Sequence, residues 1–405
     1  MLVKNNYSSI ILVVAIILFP LQKIAILLMG SRYDLTAFIL LFLSLYSFIF
    51  FKKTTIAKII FLAFFSIQIL ITLFFQISPY YRFVSGIVWL GGLLLLILGS
   101  RNIEYNQKTI AKTIIGVLLI TSIYICFEGF ILQIDRPQAW FYEPSFAGLC
   151  LYGGSSGVLI SLIMGKQNKK IRFILILCFI LLITAAILTF SMHFITFVVS
   201  LIVFFLFLLP TLISIDFKKV LLFLSFGLLI FIIGANLFLS SHFQSRTDIA
   251  DPSNLSLLAW LQGYDQMIAA IGKSPFFGLG LGSTGNFNFK SEYSDILQSV
   301  GKSDLTLNDA FSLAFRLIIE IGLLFFILLL IFLKKKLRKF KVLFSYYKKN
   351  GMNIPTPIIF NFVFSITVIL GCFLKEPLYP QSFLYLSIFL VSSIPLYRKE
   401  YKTTN

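Results

Sequence analysis

Twelve apolar runs follow one another along this chain, near 8–29, 35–51, 56–77, 81–99, 110–132, 144–164, 171–190, 193–213, 218–239, 309–333, 357–374 and 379–396. A helix needs about 20 apolar residues to cross the hydrocarbon core of a bilayer, and most of these runs reach that length. Composition agrees: 59% of residues are hydrophobic and 12% charged, where soluble domains carry roughly 25% charged residues. The expected fold is an all-α, polytopic integral membrane protein of about 12 transmembrane helices, with one large outer loop between helices 9 and 10. Residues 1–239 would hold helices 1–9 and 240–306 the large loop or cap. Residues 307–405 would hold helices 10–12 with a basic loop and tail. The first run lacks a small-residue cleavage site and leads into another span, so a retained helix is expected.

The net charge of +18 would suit nucleic acid if it were clustered on a soluble surface, but its distribution argues for a membrane. Lys52, Lys53 and Lys58, Arg101, Lys108 and Lys112, Lys166, Lys169, Lys170 and Arg172, and the dense patch over 334–349 all fall in alternate connections. Cytoplasmic loops carry such an excess of Lys and Arg. Both termini are therefore expected in the cytoplasm and 240–306 outside it. The basic patch serves as a topology anchor or meets anionic lipid headgroups. The acids lean the other way, with Asp135, Glu143, Asp248, Asp251, Asp265, Asp309, Glu320 and Glu376 on or near the outer face. Acids contribute little to orientation, so part of this bias points to polar chemistry there.

The long interruption from Ser240 to Thr306 breaks the series of spans, and long loops in compact structures are commonly functional. It reads as a small folded cap, with a helix beginning near Ser253 and a Gly-rich turn at Gly278, Gly280 and Gly282. The stretch SPFFGLGLG only superficially matches a dinucleotide fingerprint, because no strand precedes it; a tight, close-packed turn explains it better. Cys126, Cys150, Cys178 and Cys372 form no CxxC pair and read as small core residues. His193 and His242 lack metal-ligand spacing, no phosphate-binding loop exists, and neither a metal nor a cofactor is expected.

Three outer clusters carry the candidate chemistry. The loop DRPQAWFYEPSFAGL holds Arg136, Trp140, Tyr142 and Glu143; a Glu ahead of a helix-starting Pro partly reflects helix-start chemistry. Equally, aromatic faces cover sugar rings and carboxylates accept bonds from hydroxyls. In the large loop, Arg246 offers a planar fork matched to phosphate oxygens, with Trp260 further on. At the entry to the tenth span, Asp309, Arg316 and Glu320 sit at helical spacing. The last two make an i,i+4 pair that either neutralises itself or serves function.

With an EPS motif after the fifth span, one large late loop, and W…I…SPFFGLGLG before an acidic span, the chain resembles the O-antigen and capsular polysaccharide polymerases (Wzy type). The related O-antigen ligases share the late loop. The motif core of this resemblance covers about 240–325 and 136–149. It implies glycosyl transfer on the outer face of a bacterial cytoplasmic membrane, joining oligosaccharide repeat units carried on undecaprenyl pyrophosphate. On that reading Arg136, Arg246 and Arg316 bind pyrophosphate, Glu143 is the base with Asp309 as second candidate, and Trp140, Tyr142 and Trp260 hold sugar. It also implies a chain-length co-polymerase as partner. The ligases typically show a His-containing motif before the span that follows the loop, where this chain has LTLNDAF. That favours polymerase over ligase. A lipid-linked oligosaccharide flippase is the alternative from another class; it would be expected to show two pseudo-repeated halves, and no internal repeat is evident.

Overall fold

The structure, a computed structural model, describes residues 5–22, 35–50, 55–100, 103–165, 167–212, 254–287, 289–302, 310–350, 354–376 and 382–393. The run at 218–239, together with Arg246 and Asp309, lies outside the described residues. Among those described there are thirteen α-helices and no strand. They are α1 (Asn5–Leu18), α2 (Leu35–Phe50), α3 (Thr55–Phe75), α4 (Tyr80–Gly99), α5 (Gln107–Cys126), α6 (Pro144–Met164) and α7 (Lys169–Leu188). Then come α8 (His193–Leu212), α9 (Leu255–Lys273), α10 (Glu292–Ser299), α11 (Leu313–Lys349), α12 (Thr356–Leu374) and α13 (Ser382–Ser393). A π-helical turn, Phe127–Ile131, continues α5. Among the described residues six helices are long and apolar enough to cross a membrane: α4, α5 with its π turn, α6, α7, α11 and α12.

The helix pair α6–α12 forms the centre, with α5, α7, α8 and α13 packed around it. A helix buried on every side needs apolar or small residues all round, and α6 has them: it is buried from Ser145 to Ile163. Small residues let backbones approach closely in an apolar medium, where no hydrophobic force drives helices together. A Cβ added at Gly153 would come within 2.9 Å of Val368, and one at Gly157 within 2.8 Å of Phe360. Local signals start the helices: Asn106, Asn168 and Asn254 cap α5, α7 and α9 by accepting backbone N–H bonds.

Direct bonds mark two ends of the bundle. At one end Lys336 donates to the Ser392 carbonyl and Ser393 to the Tyr105 hydroxyl. At the other, Gln22 lies at Ser382 and Trp260 donates to the Leu374 carbonyl. The second is the site end.

The tenth run differs from the uninterrupted span expected over 309–333. Its helix begins at Leu313 and breaks at Gly322, whose φ of 78° leaves the helical region. The segment after α9 fills the break. Leu279 and Gly280 donate to the Ile319 and Glu320 carbonyls, while Leu323 and Leu324 donate to the Pro275 and Phe276 carbonyls. Groups freed by the break are thus satisfied by protein, as an apolar medium demands. The expected tight turn is present, with Gly278, Gly280 and Gly282 all at positive φ. Its tip wedges against Thr72 at the end of α3 and Arg82 at the start of α4.

Candidate functional site

The loop between α5 and α6 is held by an acid the motif reading passed over. Glu128, buried in the π turn, accepts from the Gln138 and Ala139 amides at 2.9 and 2.8 Å. Ala139 and Gln133 both take positive φ, a conformation that costs energy outside glycine and persists only when surroundings enforce it. The Tyr142 amide donates to Gln22, and Phe141 packs edge-on against Phe19 with centroids 5.8 Å apart. Trp140 is half-buried, one face lying on Tyr124 at 4.9 Å. Clamped this way, the loop presents Arg136 and Glu143 together.

Burial lowers the Arg136 pKa, and the nearby Glu143 carboxylate opposes that shift. The Arg136 Nε is buried with no hydrogen-bond partner among the described residues. Glu143 is exposed, and it occupies the N-cap of α6 without its side chain capping any backbone amide. It accepts instead from the Ser145 hydroxyl at 3.2 Å. Helix-start chemistry accounts for Pro144, and for the Glu143 carboxylate only through the helix dipole, not through a capping bond. A half-buried arginine and an accessible carboxylate near enough to feel its charge can hold an anion and take a proton from a bound hydroxyl.

Deeper at the same end lies a pair that no spacing rule would find. His193 Nε2 sits 2.8 Å from Glu376 Oε1, with both residues buried, and its Nδ1 is 3.3 Å from the Thr196 hydroxyl. A neutral imidazole that donates to the carboxylate can accept from threonine. Around Glu376 the end of α12 acts as an anchor. The Leu374 carbonyl takes the Trp260 indole N–H at 3.1 Å, and the Phe373 carbonyl takes the Ser312 hydroxyl. Trp260 further packs on Phe315 at 5.2 Å and stacks with Tyr264. Its indole thus docks α9 onto α11 and α12.

A third group joins three distant parts of the chain. Arg316 Nε donates to Glu320 Oε1 at 3.1 Å, as the i,i+4 spacing predicts. Glu320 is fully buried and also accepts from the Thr284 hydroxyl at 3.0 Å. The Thr284 carbonyl in turn accepts from Arg82 Nη1 at 3.2 Å. A chain of hydrogen bonds thus runs from Arg82 through Thr284 and Glu320 to Arg316.

The structure brings Arg136, Trp140, Tyr142 and Glu143 together on one clamped loop, and it sets Arg316 on α11 and Trp260 on α9 at the same end. Glu128, His193, Glu376, Arg82 and Thr284 were absent from the sequence-based site. Arg82 and Thr284 are 202 residues apart, His193 and Glu376 are 183 apart, and neither pair belongs to a local motif. Glu128 is an acid inside the apolar run near 110–132, the kind of residue that is a functional candidate by default.

Among the described residues the chain is all-helical, with helices apolar and long enough for a membrane protein and with the polar clusters described above at one end of the bundle. Compared with family models and with curated proteins, the chain matches none.

Proposed function

We propose that this chain is a polysaccharide polymerase of a bacterial cytoplasmic membrane, working on its outer face with both termini in the cytoplasm. It would join oligosaccharide repeat units carried on undecaprenyl pyrophosphate into O-antigen or capsular polymer. The observation that carries the reading is the pairing of Arg136, half-buried and with an unsatisfied Nε, with the accessible Glu143 on a loop held rigid by Glu128.

In the proposed reaction Glu143 removes the proton from the acceptor hydroxyl, and the oxygen attacks the anomeric carbon of the donor. The bond from that carbon to the pyrophosphate oxygen breaks, and lipid pyrophosphate leaves with the electron pair. Charge grows on the leaving group in the transition state, so a guanidinium placed there accelerates the step. Arginine suits this work because it stays charged and its fork matches phosphate oxygens. Outside the cytoplasm no nucleotide sugar is supplied, so the donor must bring its own leaving group. Arg246 and Arg316 are further pyrophosphate ligands in this proposal, Asp309 the second candidate base, and Trp140, Tyr142 and Trp260 sugar contacts. A chain-length co-polymerase is the expected protein partner.

The test is a gel of surface polysaccharide from a deletion strain carrying wild type, Arg136→Ala, Arg246→Ala or Glu143→Gln. With normal protein levels, each variant is expected to leave single capped repeat units, with polymer reduced on the order of 100-fold or more. A normal ladder in both arginine variants removes the pyrophosphate role. Full-length polymer stranded on its lipid carrier identifies a ligase, and loss of all outward-facing units identifies a flippase.

A further inference from the structure

The basic patch over 334–349, expected as a loop, is helical: after the break at Gly322, α11 continues to Lys349. Its two sides differ. Lys336, Leu337, Phe340, Leu343, Phe344 and Tyr347 recur at helical spacing and turn toward the bundle. Lys336 Nζ donates to the Ser392 carbonyl at 2.7 Å, and Phe340 stacks on Phe362 with centroids 4.0 Å apart. Lys334, Lys335, Arg338 and Lys339 lie on the opposite side, and all four are exposed.

The neighbours of these cations on the helix say what meets them. The same side carries Leu324, Ile327, Leu328 and Ile331, each between 41% and 51% exposed. All eight residues follow the break, so one helical repeat relates them. A single exposed stripe therefore changes from apolar to basic between Ile331 and Lys334, and no acid occurs from Leu323 to Lys349. In a bilayer the apolar half faces hydrocarbon. The basic half then reaches headgroup depth, with the long side-chain stems over acyl chains and the charges at the phosphates. Phe362 lies within the first two turns of α12, which starts at Thr356. The basic half thus crosses the end of the bundle, held there by Phe340, instead of running free beyond it. Lys108 and Lys112 on α5, and Lys169, Lys170 and Arg172 on α7, are also exposed at that end, where Glu104 is the one acid among the described residues. The four cations on α11 form the largest of these groups.

We propose that Lys334, Lys335, Arg338 and Lys339 form a binding face for anionic phospholipid headgroups, one that gathers phosphatidylglycerol from a mixed bilayer onto α11. Ammonium and guanidinium groups donate to the phosphodiester oxygens, and the net negative charge of the lipid favours it over a zwitterionic neighbour. A nucleic acid would meet the basic half of the stripe alone; the apolar half continuous with it favours a molecule that carries acyl chains. Lys336 takes no part, because it is bonded inside the bundle. The inference rests on the apolar helices that suit the chain to a membrane, and not on the polymerase reading.

The experiment places photoreactive benzoylphenylalanine at position 342 or 42 of the full chain, in nanodiscs of equimolar phosphatidylglycerol and phosphatidylcholine. Val342 is 60% exposed one turn on from Arg338, whereas Phe42 is 70% exposed on α2, which carries no basic residue. After irradiation, lipid adducts are identified by mass. Phosphatidylglycerol is expected to exceed phosphatidylcholine several-fold at 342 and to equal it at 42. The combined variant Lys334→Gln, Lys335→Gln, Arg338→Gln, Lys339→Gln should bring the ratio at 342 down to that at 42. Lys334→Arg, Lys335→Arg, Lys339→Arg should keep it, and Lys108→Gln, Lys112→Gln should leave it unchanged. Should the Gln variant insert poorly, the wild-type ratio at 342 is expected to fall as salt is raised, because screening weakens exposed charges. Equal ratios at the two positions, or a ratio at 342 indifferent to charge and salt, would overturn the proposal. An equal fall in the Lys108 and Lys112 variant would also overturn it, by showing diffuse charge in place of a site. Equal ratios together with a short RNA bound by wild type and lost from the Gln variant would give the face to nucleic acid.

Discussion

Glu128 shows how one buried carboxylate fixes the geometry of groups it does not touch. Its Oε2 accepts two backbone amides of the loop that carries Arg136 and Glu143. Glu128→Ala leaves both donors without that acceptor, which costs about 1–3 kcal/mol for each one that remains buried. The expected result is lower thermal stability in detergent, with faster hydrogen exchange at Gln138 and Ala139 than in the rest of the site end. Unchanged exchange at those amides would show that the loop is held by other contacts. His193 and Glu376 pose a similar case. Removing one partner leaves the other buried without its hydrogen bond, which costs about 1–3 kcal/mol, and more where the survivor is the Glu376 carboxylate. His193→Ala and Glu376→Ala should each destabilise strongly, and the double variant should lose less than the sum of the two. Additive losses measured by denaturation would mean that the two side chains are not coupled.

At the scale of the element, α11 is where local pattern and observed geometry part. A continuous apolar run reads as one span, yet the backbone turns out of the helix at Gly322, where the 275–280 segment bonds to it. Glycine is required there twice over. Its φ of 78° with ψ of 171° is a combination essentially confined to glycine, and an added Cβ would lie 2.3 Å from the Phe276 carbonyl oxygen. Gly322→Ala is therefore expected to destabilise by more than the roughly 1–3 kcal/mol of the backbone conformation alone. Gly116 in α5 supplies the control, since a Cβ there meets nothing within 4 Å. Gly116→Ala should be neutral or stabilising by up to about 1 kcal/mol. Equal melting temperatures for the two variants would mean that the break in α11 is not enforced by glycine.

Across the whole molecule, apolar pattern fixed much and local motif little. The runs near 110–132, 144–164, 171–190 and 357–374 correspond to helices α5, α6, α7 and α12, long and apolar enough to span a membrane. They were legible because a membrane helix satisfies its own backbone and declares itself by length and hydropathy alone. The loop over 135–145 was legible too, because its polar and aromatic residues are sequence neighbours. What a run of residues cannot carry is which helix faces which. Arg82 reaches Thr284, His193 reaches Glu376 and Trp260 reaches the end of α12 only once the bundle has formed, and the apolar gap of about 400 Å³ beside α11 exists only as a space between helices. By itself the sequence determined the helical class and the residues available for chemistry, since both follow from local composition. The tertiary structure alone decided the break in α11, the charged network and the apolar gap beside α11, because each depends on contacts between segments that no periodicity links.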